Sequence, residues 1–242
     1  KIGIIGAGNM GAGLGKLWAK AGHEVVFSYS RDQNKLLELA TVAGATAKAG
    51  TIQEAAAQDI ILLAVWLPAL EEVIHAAGSL DGKIIITCVS GIQPDFTGQT
   101  IGLATDLKIS VAEVIQQLLP NAKVVEAFNT TFAEIIASDS RQFGADFPSV
   151  FYCGDDVESK QIAANLIEDC GYKPVNAGNL LVARTLETLA SAWVQFAVTS
   201  QLFPNLGLTV CCKTVIIFLV RSSEDYARST VLPMSLTLTS QS

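Results

Sequence analysis

Three glycines, Gly6, Gly8 and Gly11, stand at G-x-G-x-x-G spacing within Gly6-Ala7-Gly8-Asn9-Met10-Gly11. That spacing suits a phosphate anion. The first glycine allows a tight turn, the second lets a pyrophosphate approach the backbone, and the third lets a helix pack closely on a strand. A helix opening here offers unpaired N–H groups and partial positive charge to the phosphates. The motif directly follows an apolar strand pattern and sits inside a strand–helix–strand unit of about 30 residues, the context it requires.

The end of the second strand chooses between dinucleotides. An NAD site places an acid there to hold the ribose hydroxyls, whereas this chain reads Ser28-Tyr29-Ser30-Arg31, with Lys35 one turn further on. A guanidinium fork and a serine hydroxyl suit a phosphate, so the stretch predicts NADP. Asp32 is the rival anchor for NAD, but it falls at a helix start, where an acid complements the dipole.

In a sheet wound this way, ligands lie across the carboxyl ends of the strands. Those ends are Ala64-Val65-Trp66-Leu67, Cys88-Val89-Ser90 and Phe128-Asn129-Thr130. The first walls the nicotinamide ribose in this reading, with Trp66 either a flat surface for a ring or a core aromatic. The other two are the polar clusters in position to meet a substrate, although Asn129 and Thr130 also suit helix caps. No base or nucleophile constellation stands out. His23 precedes the second strand, away from this edge, and His75 and the Glu71-Glu72 pair lie within a helix pattern. Hydride transfer between stacked rings needs proximity and alignment rather than a proton shuttle.

Short apolar runs alternating with helical patterns are what position these residues. Lys1–Ile5, Glu24–Ser28, Ala45–Lys48, Ile60–Trp66 and Lys83–Thr87 read as strands. Helices are predicted over Asn9–Ala21, Asp32–Ala43, a short stretch from the capping box at Thr51, and Pro68–Ala77. Such alternation predicts right-handed crossovers and a Rossmann-type doubly wound parallel α/β sheet. A loop follows from Cys88 to Asp106, long enough to suggest function. Then come a helix near Ile109–Leu119, a strand Lys123–Ala127, a helix near Phe132–Ser138 and a strand Ser149–Cys153. Helix Asp156–Cys170, strand Tyr172–Val175 and a long apolar helix from Asn179 to about Gln201 complete a small C-terminal α/β extension. The expected division is residues 1–130 as the NADP-binding part, 131–208 for substrate and dimer contacts, and 209–242 unassigned.

Composition narrows the classes. Of 242 residues, 50% are apolar and 16% charged, with net charge −7, so a global nucleic-acid binder and a disordered chain are both excluded. Five scattered cysteines (Cys88, Cys153, Cys170, Cys211, Cys212) and two histidines form no zinc pattern, and they suit a reducing compartment. The longest apolar run, Ile60–Leu70, is about half of the ~20 residues a membrane span needs. With no leader pattern ahead of the first strand, the chain reads as soluble and cytoplasmic.

The chain resembles the NADP oxidoreductase family dependent on the deazaflavin coenzyme F-420, and the related cytosolic domains of six-transmembrane metalloreductases. The resemblance rests on the Gly6–Gly11 cradle, the Ser30-Arg31 pair, Leu63–Ile74, Val124–Thr130, Cys153–Asp156 with Ser159-Lys160, and Pro174–Arg184. It covers roughly residues 1–208 and implies a homodimer passing hydride between NADPH and a deazaflavin or a flavin such as FMN or FAD. It also implies that Asn9, Met10, Ser30, Arg31, Lys35, Ala64 and Val65 touch NADP, with the acceptor ring near Cys88–Ser90 and Asn129–Thr130. The chain departs from the family where Trp66-Leu67 precede Pro68 and where Cys88-Val89-Ser90-Gly91 replaces an Asp/Asn-rich turn, both on the acceptor side. An imine or pyrroline-5-carboxylate reductase shares the opening Lys1–Gly11, but the Gly/Thr/Ser-rich helical segment of such enzymes is not seen near Asn179–Gln201. A non-catalytic NADP sensor is the remaining alternative.

Overall fold

The computed structural model describes residues 1–211 except Arg31, residues 95–99 and Leu107. Lys1–Val210 forms one compact unit, and Cys211–Ser242 is a separate one. Of the tail expected to be unassigned, 209–242, only residues 209–211 are described, and Cys212 lies outside them.

Strands β1 (Ile2–Ile5), β2 (Val25–Ser28), β3 (Ala47–Ala49), β4 (Ile60–Leu63) and β5 (Ile84–Thr87) alternate with helices α1 (Asn9–Lys20), α2 (Gln33–Ala43), α3 (Ile52–Ala56) and α4 (Leu70–Ala77). The chain continues through β6 (Ile92–Pro94), β7 (Thr100–Leu103), α5 (Val111–Leu118), β8 (Lys123–Ala127) and α6 (Ala133–Ala137). It ends with β9 (Ser149–Gly154), α7 (Val157–Asp169), β10 (Lys173–Gly178) and α8 (Ala183–Thr199). The main sheet has eight strands in the order β10-β9-β8-β5-β4-β1-β2-β3. From β3 to β8 every pairing is parallel. Both crossover directions start at β1, so the sheet is doubly wound, as the alternation predicts.

Two features depart from the expected pattern. β9 pairs antiparallel to β8, and β10 then runs parallel to β9. The connection between β8 and β9 holds only the five-residue α6. That helix packs on α1, with Ile136 against Gly13, instead of carrying the chain back to the amino end of β8, and β9 runs the other way. The second departure is the Cys88–Asp106 loop, which carries the antiparallel pair β6–β7.

Each central strand is covered on both faces, which explains its unbroken apolar run. Ile4, Leu62 and Ile86 pack with Leu14, Trp18 and Leu36 beneath α1 and α2. Their neighbours Ile5, Ile61, Leu63 and Ile85 face the other way, against Val73, Ile115 and Leu186 of α4, α5 and α8. Fully burying one such side chain contributes about 1.5–3 kcal/mol. His23 bonds Asp169 at 2.8 Å, a tie between the turn before β2 and α7. Among the described residues no helix is long and apolar enough to cross a membrane.

Candidate functional site

The glycine turn is built by the strands beside it. Gly6 has φ +111, and a Cβ there would collide with the Ala64 carbonyl oxygen. At Gly11 a Cβ would strike the carbonyl oxygen of Gly6, so α1 is pressed against the turn. Gly8 differs: nothing lies within 4 Å of where its Cβ would be. Open space at that position is where a phosphate can approach the backbone. Gly8 also caps α1 without any side-chain bond, and the first turn of the helix holds no acid. By contrast α2, α3, α5 and α7 each start on a capping side chain, from Asp32, Thr51, Ser110 and Asp156. The first-turn amides of α1, at Asn9, Met10 and Gly11, are therefore left for an anion.

The end of β2 is zipped to this turn. Gly6 N–H donates to Ser28 O at 3.1 Å and Ala7 N–H to Tyr29 O at 3.2 Å. Tyr29 takes φ 56, which bends the chain away after the strand and brings Ser30 beside the glycines. The Asp32 carboxylate accepts the Asn34 N–H at 2.9 Å, and Asp32 N–H donates to Ser30 Oγ at 3.2 Å. Asp32 is thus a helix cap, and the Ser30 hydroxyl keeps its own proton to donate. Lys35 is exposed on the first turn of α2 and makes no ion pair among the described residues. Arg31, the expected phosphate fork, lies outside the described residues.

Further along the same edge, Ala64 and Val65 are half-buried after β4, while Trp66 is 71% exposed. The core-aromatic alternative for Trp66 does not hold; its indole is available to a ring. After β5, Val89 is buried and ties its N–H to Thr87 Oγ1 at 3.1 Å, with Cys88 and Ser90 half-buried on either side. The Cys88 thiol contacts Leu63 O at 3.9 Å, and burial pushes it up to about 12, so it is no nucleophile at neutral pH. Phe128, after β8, adopts φ 68 and is fully buried. Asn129 and Thr130 do not cap α6, which begins at Phe132 without a side-chain bond. The tertiary fold thus sets Gly6–Gly11, Ser30, Ala64–Trp66, Cys88–Ser90 and Asn129–Thr130 along the carboxyl ends of neighbouring parallel strands.

Two acids passed over in the sequence stand out in the structure. Glu126 on β8 is fully buried with neither carboxyl oxygen bonded, and burial, then Glu187, holds it well above the carboxylate range. Glu187 on α8 is fully buried too, its Oε1 accepting from Val111 N–H at 2.6 Å. Burial pushes Glu187 up to about 7, opposed by the Val111 and Ala112 amides. The sequence signal for both was a charged residue interrupting an otherwise apolar strand or helix. Among the described residues no cluster of ligating side chains fits a metal ion.

Comparison with known proteins bears on the fold and the family resemblance. Rat metalloreductase STEAP3 is 27% identical over 221 residues, 87% of this chain and 40% of that protein, so the chain spans well under half of it. The F420-dependent NADP reductase of Methanocaldococcus jannaschii is 26% identical over 202 residues, covering 78% of this chain and 88% of the relative. A crystal structure from Arthrobacter sp. FB24, provisionally named an F420-dependent NADP-reductase, shares the fold with TM-score 0.76. It is 24% identical and covers 88% of this chain and 99% of its own. A reductive aminase from Aspergillus terreus, crystallised with NADPH and ethyl levulinate, shares the fold at TM-score 0.60 and 18% identity, over 83% of this chain and 62% of its own. Residues 1–91, from the glycine turn to the end of β5 and just beyond, match the family described as NADP oxidoreductase coenzyme F420-dependent, the family that this chain resembles.

Proposed function

We propose that the chain is an NADPH-dependent oxidoreductase that passes hydride between NADP(H) and a deazaflavin or flavin-type ring. The observation that carries this is the pairing of an uncapped α1, open at Gly8, with a β2 end whose Asp32 carboxylate is engaged as a helix cap. The residues fit the dinucleotide: Asn9, Met10 and Gly11 amides for the pyrophosphate, Ser30, Arg31 and Lys35 for the extra phosphate, and Ala64, Val65 and Trp66 along the ribose and ring. NADPH bound there supplies the hydride. The chain's own part is to hold and align. Cys88–Ser90 and Asn129–Thr130 border the space where the acceptor stacks, and none of these five residues carries an acidic or basic side chain. Family membership of the relatives' reductases supports the reaction class, while the acceptor rests on the resemblance.

In this reading residues 1–130 bind the dinucleotide and 131–208 serve the acceptor and a homodimer contact. Support for the dimer comes from exposed Leu181 and Phe196 flanking and lining α8. The protein works in the cytoplasm on a small redox molecule.

The test is NADPH oxidation, followed at the nicotinamide absorbance band, with deazaflavin, FMN, a ferric chelate and a cyclic imine offered in turn. Oxidation with deazaflavin or FMN is expected. Turnover of the imine alone, or NADPH binding without any oxidation, overturns the assignment in favour of an imine reductase or a sensor. Arg31→Ala is expected to lose about 1.5–3 kcal/mol, or roughly ten- to a hundredfold in NADPH affinity. Unchanged NADPH and NADH affinities would refute the phosphate contact.

A further inference from the structure

β8 ends in polar atoms that have nothing to bond. Both amide atoms of Asn129 and the hydroxyl of Thr130 are shut off from solvent and unpaired. Thr130 is 6% exposed, and Asn129, partly exposed as a residue, has its amide head turned inward. Groups buried this way carry a desolvation penalty and call for a partner. Neither residue caps α6.

Their placement is fixed from both sides. Phe128 sits edge-on between Trp18 and Tyr172, with ring centroids 6.1 and 6.4 Å apart. Thr131 donates its hydroxyl to Tyr172 Oη at 3.2 Å. The residues on either side of the pair are thus held. Three strand spacings, about 14 Å, separate β8 from β1 along the edge. The pair therefore shares the acceptor side of the edge with Cys88–Ser90 in the dinucleotide reading, while α6 just beyond it packs on α1 where Ile136 meets Gly13.

We propose that Asn129 and Thr130 read a planar amide edge, CO–NH or CO–NH2, on the ring bound at this end. The inference rests on the dinucleotide reading above. Asn129 offers one acceptor, Oδ1, and one donor, Nδ2, side by side, which complement the N–H and C=O of such an edge. Thr130 Oγ supplies a third bond. A carboxylate would leave Oδ1 unpaired, and an apolar ring would leave all three groups unpaired. Two rings carry the edge: nicotinamide, in its carboxamide, and a flavin or deazaflavin, in its pyrimidinedione.

The experiment compares paired probes on the wild-type protein and on Asn129→Ala. One pair is NADPH and reduced 3-acetylpyridine adenine dinucleotide phosphate, in which a methyl group replaces the amide NH2. The other is lumiflavin and N3-methyl-lumiflavin. One lost hydrogen bond is about tenfold in affinity. The wild type is expected to lose about that factor within one pair, and Asn129→Ala to erase the difference. Loss within the dinucleotide pair assigns the edge to nicotinamide, and loss within the flavin pair assigns it to the acceptor. Equal binding within both pairs by a wild type that binds NADPH overturns the inference, and so does discrimination that survives in Asn129→Ala. Failure to bind NADPH at all sinks the dinucleotide reading instead. A melting curve shows whether the variant is folded, and the wild-type comparison stands without it.

Discussion

The Glu187 carboxylate of α8 accepts the Val111 backbone N–H of α5 at 2.6 Å, so one helix is capped by the side chain of another. Ser110 and Glu113 close a capping box at the same helix start. Arg184, one turn before Glu187, grips Glu113 with a two-pronged fork at 2.8 and 2.6 Å. The chain after β5 returns at α5, and near its base Gly91 O accepts from Ala104 N–H at 2.7 Å. α8 therefore anchors the base of that stretch.

Glu187 makes stability pH-dependent in a direction unusual for an acid. Burial raises its pKa to about 7 in the folded protein, above the usual 4.5. The folded state then holds the proton more tightly than the unfolded one, so the contribution is full below about pH 4.5 and lost as pH rises towards 7. Glu126, also raised, acts in the same sense. Urea unfolding at pH 5.0 and 7.5 is expected to show a fall of about 1–3 kcal/mol, and Glu187→Gln to flatten it. A wild-type protein equally stable at both pH values contradicts this.

The fork on Glu113 acts on the acid limb. Arg184 is the main cause that lowers Glu113 to about 2, from 4.5. Here the folded state holds the proton less tightly, so the contribution is present above about pH 4.5 and lost as pH falls through 2. Arg184→Met should let Glu113 titrate nearer its ordinary value, which side-chain carboxyl NMR shifts measure directly. An unmoved midpoint would show that Ser110, and not Arg184, holds the charge.

Gly8 and Gly11 separate binding from folding. Gly8→Ala adds a methyl group to open space, so its melting temperature should match the wild type while NADPH affinity falls at least tenfold. Gly11→Ala drives a methyl group into the Gly6 carbonyl and sits 3.1 Å from Ile4 Cγ2. Overpacking of that kind costs about 1–3 kcal/mol. Thermal melts and NADPH titrations of both variants check the contrast; a Gly8→Ala protein that binds NADPH normally removes the phosphate from this turn.

Thiol chemistry gives a fourth check. Cys153 and Cys170 are buried, the Cys88 thiol is pushed up to about 12, and Cys211 is exposed. At pH 8 iodoacetamide should label Cys211 and spare the other three until the protein unfolds, as read by peptide mass spectrometry. Rapid native labelling of Cys88 would mean that its thiol is open and ionised.

Much of this protein was legible before its structure because the relevant forces are local or periodic. Unbroken apolar runs at Ile2–Ile5, Ile60–Leu63 and Ile84–Thr87 mark strands covered on both faces. G-x-G-x-x-G spacing marks the turn, and Asp32 and Thr51 mark helix starts through bonds that span only two or three residues. The reversal at β9 was not legible, since it depends on where the connection packs, here with Ile136 of α6 against Gly13 of α1. Nor were the exposure of Trp66 and the burial of the Asn129 amide and Glu126, each set by whether distant elements pack over it. Sequence alone determined most of the strands and helices and the glycine turn, because each arises within a few residues. Exposure, pairing and the shifted acids at Glu126 and Glu187 were decided only by tertiary structure, because burial and charge proximity join residues far apart in the chain.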